Sequence, residues 1–374
     1  MRNANRKWVT AFALALAVVL AFGQAGYGQP HEEQQGPAMQ ERSRNGTPIT
    51  VITSLPSYAA IAQFVGGDWV AVESISAGNQ EAHFVQPKPS YALKMNKADL
   101  FITTGLDLEL WVPALLDKAR NRNIMEGAIG YVSAATDVPM LEKPETNPDR
   151  ALGDVHIYGN PHIHTSPVNA KIIAENILVG LKKVAPEHSV TFTANYAAFC
   201  DRIDRSLFGE ELVGILGGEM LSKMLLSGTL FEFLQTKEYG GEKLIDKLGG
   251  WLQEALPLRG RKVICYHKDW SYFTRDFGLA VVDYIEPKPG IPPTTKHVKE
   301  MIDKITSQKL QVLIVANYYE KNTPNMIAAR TGIKAVFIPL DVGGEPGVNT
   351  YFDLIDYWID KLNEAYETQT GLMD

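Results

Sequence analysis

The chain has 374 residues, 45% of them hydrophobic and 21% charged, with a formal net charge of −7. That length is ample for two packed cores, and a mildly acidic chain without a basic footprint argues against a nucleic-acid partner. Two cysteines, Cys200 and Cys265, are too few for a disulfide framework; they are either one bridge or two buried thiols.

The N-terminus reads as an address. Arg2, Arg6 and Lys7 precede an apolar run from Trp8 to Phe22, and small residues follow at Gly23, Ala25, Gly26 and Gly28. This describes a cleaved signal peptide over residues 1–28, because the run is below the roughly 20 residues a spanning helix needs. No cysteine stands near the cleavage region, so a lipid anchor is not indicated. The mature protein is expected to be soluble in a bacterial periplasm. Residues 29–46 (QPHEEQQGPAMQERSRNG) lack apolar periodicity and read as a disordered leader, with His31 incidental.

Structure is expected to begin at ITVIT (Ile49 to Thr53), a strand. A short helix follows from Tyr58 to Val65, then a second strand at WVAVESI (Trp69 to Ile75). A loop carries His83, Pro89 and Ser90 open a helix, and DLFITT (Asp99 to Thr104) is a third strand. Apolar, β-branched strands alternating with helices imply parallel βαβ units.

After the His-rich segment VHIYGNPHIHTSP (Val155 to Pro167), a helix is expected from Val168 to Lys183. A longer one starts near Pro186, with Phe192, Tyr196, Phe199, Ile203 and Leu207 at helical spacing. It reads as a strut between lobes. Residues 208–258 form a Gly- and Leu-rich helical insertion without evident chemistry; its glycine pairs at 217–218, 240–241 and 249–250 read as helix ends. Strands return at KVICY (Lys262 to Tyr266), LAVVDYI (Leu279 to Ile285), VLIVA (Val312 to Ala316) and KAVFI (Lys334 to Ile338), and a helix from Tyr351 to Leu362 closes the chain. The expected fold class is α/β. It has two lobes with mostly parallel sheets, residues 47–185 and 259–374, joined by a connecting helix over 186–207.

In open α/β sheets ligands bind beyond the carboxyl ends of the strands. His83 and His162 lie in loops of the first lobe; His267 directly follows KVICY and Asp341 follows KAVFIPL. Three imidazoles and one carboxylate converging on the cleft would suit a divalent transition metal, zinc above manganese on ligand softness. The competing reading is polar surface turns that happen to contain His. Binding by imidazole requires the neutral ring, so affinity should fall on acidification.

The residues also carry a resemblance. AHFVQPKPSYALKMNKADLFITTGLDLELW (Ala82 to Trp111), GNPHIHTSP and YHKDWSYFTRDFGLAVVDYIEPKPGIPP (Tyr266 to Pro293) resemble three signatures of the zinc- and manganese-binding solute-binding proteins of ABC transporters. The resemblance covers roughly residues 48–207 and 259–362. It implies a Zn²⁺ or Mn²⁺ cargo held between the lobes, metal positions at His83, His162, His267 and, with a looser local match, Asp341, and an ABC permease in the inner membrane as partner. A monomer is expected.

There are departures from the pattern. His164 stands where the family usually has an aromatic residue, the 209–258 segment is longer than the family needs, and the long His-rich loop of some zinc carriers is missing. His164 is expected to point away from the metal, toward a supporting position or the surface. His156 is a capture residue at the cleft mouth or a plain surface residue. His188 and His297 read as structural or solvated, Trp270, Tyr272 and Phe273 as packing, and Glu286 as a loop-fixing rival carboxylate. A secreted zinc hydrolase would want an H-E-x-x-H pair and an open coordination position; the chain lacks the former, and four protein ligands would fill the latter. The same fold would also serve a surface adhesin or a carrier specific for manganese or iron.

Overall fold

The computed structural model describes residues 46–143, 157–286 and 290–370. The expected signal peptide, nearly all of the leader, and His156 lie outside them. Among the described residues no helix is long and apolar enough to cross a membrane.

The first half is a parallel sheet with order β2-β1-β3-β4, formed by β1 (Ile49–Thr53), β2 (Val70–Ser74), β3 (Leu100–Thr103) and β4 (Tyr131–Ser133). Helices α1 (Pro56–Gly66), α2 (Pro89–Asn96), α3 (Val112–Ala119) and α4 (Pro167–Val184) connect and cover it. Each of these four opens with proline in its first turn, where the missing N–H costs nothing. Side chains alternate across the sheet, as the two-residue strand period requires. Val51, Leu100 and Ile102 pack in the main core that α1 and α4 enter, while Ile52 and Phe101 pack with Met95, Leu115 and Leu116 of α2 and α3. A parallel sheet buried on both faces needs apolar residues at every position, which is why LFIT is buried throughout.

The second half repeats the plan. β7 (Lys262–Cys265), β8 (Ala280–Tyr284), β9 (Val312–Ala316) and β10 (Lys334–Ile338) form a parallel sheet of order β8-β7-β9-β10, flanked by α10 (Ser271–Phe277), α11 (Thr295–Gln308), α12 (Asn322–Thr331) and α13 (Tyr351–Thr370). Strand order thus reverses between β1 and β3 in one lobe and between β7 and β9 in the other, the crevice positions of such sheets.

Helix α5 (Ser189–Phe208) is the expected strut, entered through a single 3₁₀ turn at Pro186–His188. Its Phe192, Phe199, Ile203 and Leu207 are buried. Phe199 meets Phe64 of α1 and Phe352 of α13, so the strut packs on both lobes.

The segment after it forms α6 (Glu210–Leu216), α7 (Gly218–Leu226), α8 (Leu230–Thr236), a two-stranded hairpin of β5 (Glu238–Tyr239) and β6 (Glu242–Lys243), and α9 (Gly250–Glu254). Lys171 of α4 bridges Asp204 of α5 and Ser222 of α7, binding this segment to the strut. The expectation that its glycine pairs end helices holds at Gly217, which closes α6 with φ 77°. It fails at Gly240 and Gly241, which make the hairpin turn. Cys200 and Cys265 are free thiols.

Candidate metal centre

His83 sits in a 3₁₀ turn (Ala82–Phe84) after β2 and is buried. The Trp111 indole N–H donates to the Ala82 carbonyl at 2.8 Å, stapling this turn to the start of α3. The ring's Nδ1 lies 3.4 Å from Glu81 Oε1.

His162 belongs to the loop leading into α4. Its backbone N–H and its Nδ1 both meet Asn160 Oδ1, at 3.0 and 2.9 Å. The Asn160 amide nitrogen donates instead to the Lys268 carbonyl at 2.9 Å and to Ser271 Oγ at 3.1 Å. A carbonyl cannot donate and a backbone N–H cannot accept, so the amide has one orientation. Nδ1 of His162 therefore carries a proton.

His267 follows β7 in extended conformation. Its Nδ1 lies 2.8 Å from the Glu286 carbonyl, which leaves Nε2 as the lone-pair nitrogen; Nε2 is buried without a hydrogen-bond partner. Burial drives the ring's pKa down to about 3, so this imidazole is neutral over the whole physiological range. The Glu286 side chain accepts from the Gly290 N–H at 2.8 Å; it fixes the loop.

The three rings cluster. Centroids of His83 and His162 are 5.3 Å apart, His162 and His267 6.0 Å, and His83 and His267 6.2 Å. An imidazole bound to zinc through one nitrogen at about 2 Å has its centroid about 3 Å from the ion, so two rings at a tetrahedral angle stand about 5 Å apart. The first pair matches that spacing, and His267 stands roughly an ångström wide of it. Accordingly, among the described residues no three His, Cys, Asp or Glu side chains are already arranged to hold one ion. A cavity of about 830 Å³, with Glu81, Tyr266, Glu286, Tyr318, Tyr319 and Glu320 among its walls, opens beside the histidines' carboxylate and carbonyl partners.

Asp341 is placed differently. Its Oδ1 accepts from the N–H and Oγ of Ser57, at the start of α1, and its Oδ2 lies 3.9 Å from His164 Nε2. His164 is fully buried, edge-on to Tyr58, which rules out the surface position for it. In an extended chain residues two apart would share a side; the 3₁₀ turn at Ile163–Thr165 sends His164 to a different neighbourhood from His162. His188 stacks on Trp69, and His297 bonds the Tyr284 carbonyl. Trp270, Tyr272 and Phe273 are buried, the first and last against Trp358.

A further buried carboxylate, not singled out in the sequence, lies close to His162. Asp269, two residues beyond His267, is wholly buried, with Oδ1 3.3 Å from His162 Nε2. Neither of its oxygens makes a hydrogen bond of normal geometry, although the Tyr319 hydroxyl lies near enough to oppose slightly the rise in pKa that burial, Glu81 and Glu286 impose.

Two parallel α/β lobes on a long helix, with histidines of both lobes gathered between them, define a solute-binding protein of the type that serves ABC transporters. The chain belongs to the family described as zinc-uptake complex component A, periplasmic, whose model matches residues 51–206 and 238–365. Residues 207–237 lie between the matched parts.

Among relatives, the iron-binding protein YfeA of Yersinia pestis is 25% identical over 84% of this chain and 86% of its own length. The zinc-binding lipoprotein AdcA of Streptococcus pneumoniae is 23% identical over 80% of this chain, which spans only 52% of that lipoprotein. The structure of FpvC from Pseudomonas aeruginosa in complex with Mn²⁺ shares the fold, with a TM-score of 0.63, 16% identity, and coverage of 86% of this chain and all of that one.

Proposed function

We propose that the chain captures a divalent transition metal in the periplasm, zinc before manganese or iron, and delivers it as a monomer to an ABC permease of the inner membrane. The observation that carries this reading is the cluster of His83, His162 and His267, whose ring centroids lie 5.3 to 6.2 Å apart, with Nδ1 of His162 and of His267 each held by an oxygen acceptor. Three imidazole ligands form a borderline-soft set that favours zinc over manganese, in line with the Irving–Williams order. Relatives named for zinc and for iron, and a neighbour in fold solved with Mn²⁺, support a transition-metal cargo and leave the choice among them to the donor set. Asp341 is the fourth donor expected from the sequence; to reach the ion it would have to exchange its bonds to Ser57.

The test is elemental analysis of the exported protein purified without chelators, followed by zinc titration of the stripped protein. Replacing His83, His162 or His267 by Ala should weaken binding by at least about tenfold, and His164→Ala by much less. Wild-type affinity in all three of the first variants would end this reading.

A further inference from the structure

Glu142, in the segment of the first lobe that follows β4, reaches across to the turn after His267. Its backbone is left-handed, φ 54°, a conformation that a residue with a Cβ keeps only where its surroundings hold it. Here the partners of its carboxylate belong to the other lobe. Ser271 Oγ donates to Glu142 Oε1 at 2.6 Å, and Lys268 Nζ lies 3.1 Å from Oε2 in a partly exposed ion pair. Ser271 has one hydroxyl hydrogen, and the carboxylate takes it in preference to the Lys268 carbonyl at 3.1 Å. The same Oγ accepts from the Asn160 amide, whose Oδ1 takes the Nδ1 hydrogen of His162. A continuous chain of hydrogen bonds thus runs from an imidazole of the first lobe, through Ser271 of the second, to the Glu142 carboxylate. The Leu141 N–H and the Asn160 carbonyl both bond the Tyr272 hydroxyl, at 3.2 and 2.7 Å, and tie the same two segments.

We infer that Glu142 is a positioning residue: its clasp on Ser271 and Lys268 keeps the His267 turn against the His162 segment and sets how long a bound ion stays. The inference rests on the reading of the three histidines as the metal site. A closure held in advance lowers the cost of bringing the third ring to the ion. Without the clasp the ion still meets His83 and His162 of the first lobe, but the second lobe parts from it sooner.

The experiment follows Zn²⁺ on the mature protein by stopped-flow loading and by chelator-chase release. Glu142→Ala should release zinc about tenfold faster, as loss of a hydrogen bond to a charged group implies, and load it at the wild-type rate. Glu142→Gln keeps an oxygen for Ser271 but not the charge, and should release it about two- to fivefold faster. Ser271→Ala changes no charge and should also speed release, and the double variant with Glu142→Ala should be little faster than either single one. Wild-type release from Glu142→Ala would overturn the inference. So would single effects that multiply in the double variant, since Glu142 would then act by its charge alone. If Glu142→Ala does not fold, the same comparison is made with Glu142→Gln, and wild-type release there overturns the inference. His162→Ala is titrated alongside. Loss of binding there with wild-type release from the Glu142 variants refutes the clasp alone; undiminished binding in His162→Ala refutes the metal site and the clasp with it.

Discussion

Asp341, in the loop after β10, closes the first turn of α1 across the cleft: its Oδ1 accepts from the Ser57 N–H at 2.7 Å and from Ser57 Oγ at 2.5 Å. α1 has no side-chain cap of its own, since Leu55 occupies the cap position and Pro56 lacks an N–H. A carboxylate there satisfies a helix-end donor and meets the positive end of the helix dipole. Asp341→Ala should therefore destabilise the metal-free protein by about 1–2 kcal/mol, the usual cost of a lost cap. Ser57→Ala, which keeps the backbone bond, should cost less. Urea unfolding of the two variants measures this, and equal losses would show that the hydroxyl bond carries the effect.

Gly78 marks a second contact between the lobes. A Cβ at this position would lie 2.2 Å from the Val342 carbonyl oxygen and 2.4 Å from the Gly344 nitrogen. Both are backbone atoms, which cannot swing aside as a side chain would. Gly78→Ala should destabilise the fold by about 1–3 kcal/mol, as overpacking does, and weaken zinc binding by parting the loops that follow β2 and β10. Thermal unfolding with and without zinc checks both effects; an unchanged melting curve would mean that the loops slide freely.

Glu109 gives a pH dependence away from the histidines. Its Oε1 accepts from Ser54 Oγ, the Thr104 N–H and Thr104 Oγ1, yet burial outweighs these bonds and raises its pKa above the ordinary carboxylate value. With the folded pKa above the unfolded one, the stability linked to this proton is complete below the unfolded pKa and is lost as pH rises through the folded pKa. Glu109→Gln does not titrate. Its stability relative to the wild type should increase from about pH 4 to about pH 7, and a difference independent of pH in urea unfolding would refute the raised pKa.

Asn160 sets the tautomer of His162 and also reaches Lys268 and Ser271 in the other lobe. Asn160→Ala removes the acceptor that keeps hydrogen on Nδ1. Zinc affinity should fall by about 10- to 100-fold, the range for groups that orient a metal-binding histidine. Competition titration tests this, and an unaltered affinity would mean that packing alone orients the ring.

The repeating α/β rhythm was legible because strands buried on both faces leave short apolar runs such as ITVIT and VLIVA. β4 and α3 were not read, since three residues at Tyr131–Ser133 and eight at Val112–Ala119 give too little periodicity. His83 and His267 were singled out by their place just past strand ends, and His162 by its loop ahead of the first lobe's last helix. Asp341 lies at such an exit too, but the sequence holds no sign that a helix end 284 positions away would engage it.

The spacing of the three rings has a kinetic consequence. His83 and His162 come from one lobe, with ring centroids 5.3 Å apart, whereas His267 comes from the other and stands 6.0 and 6.2 Å from them. If the three hold the ion as proposed, an arriving ion would land first on the pair from one lobe, and His267 would then close over it. Association rates should therefore respond chiefly to His83 and His162, and the residence time to His267, a division that stopped-flow loading and chelator-chase release would expose. Drawing the second lobe back would then shorten that residence time and leave the landing pair intact for the next ion.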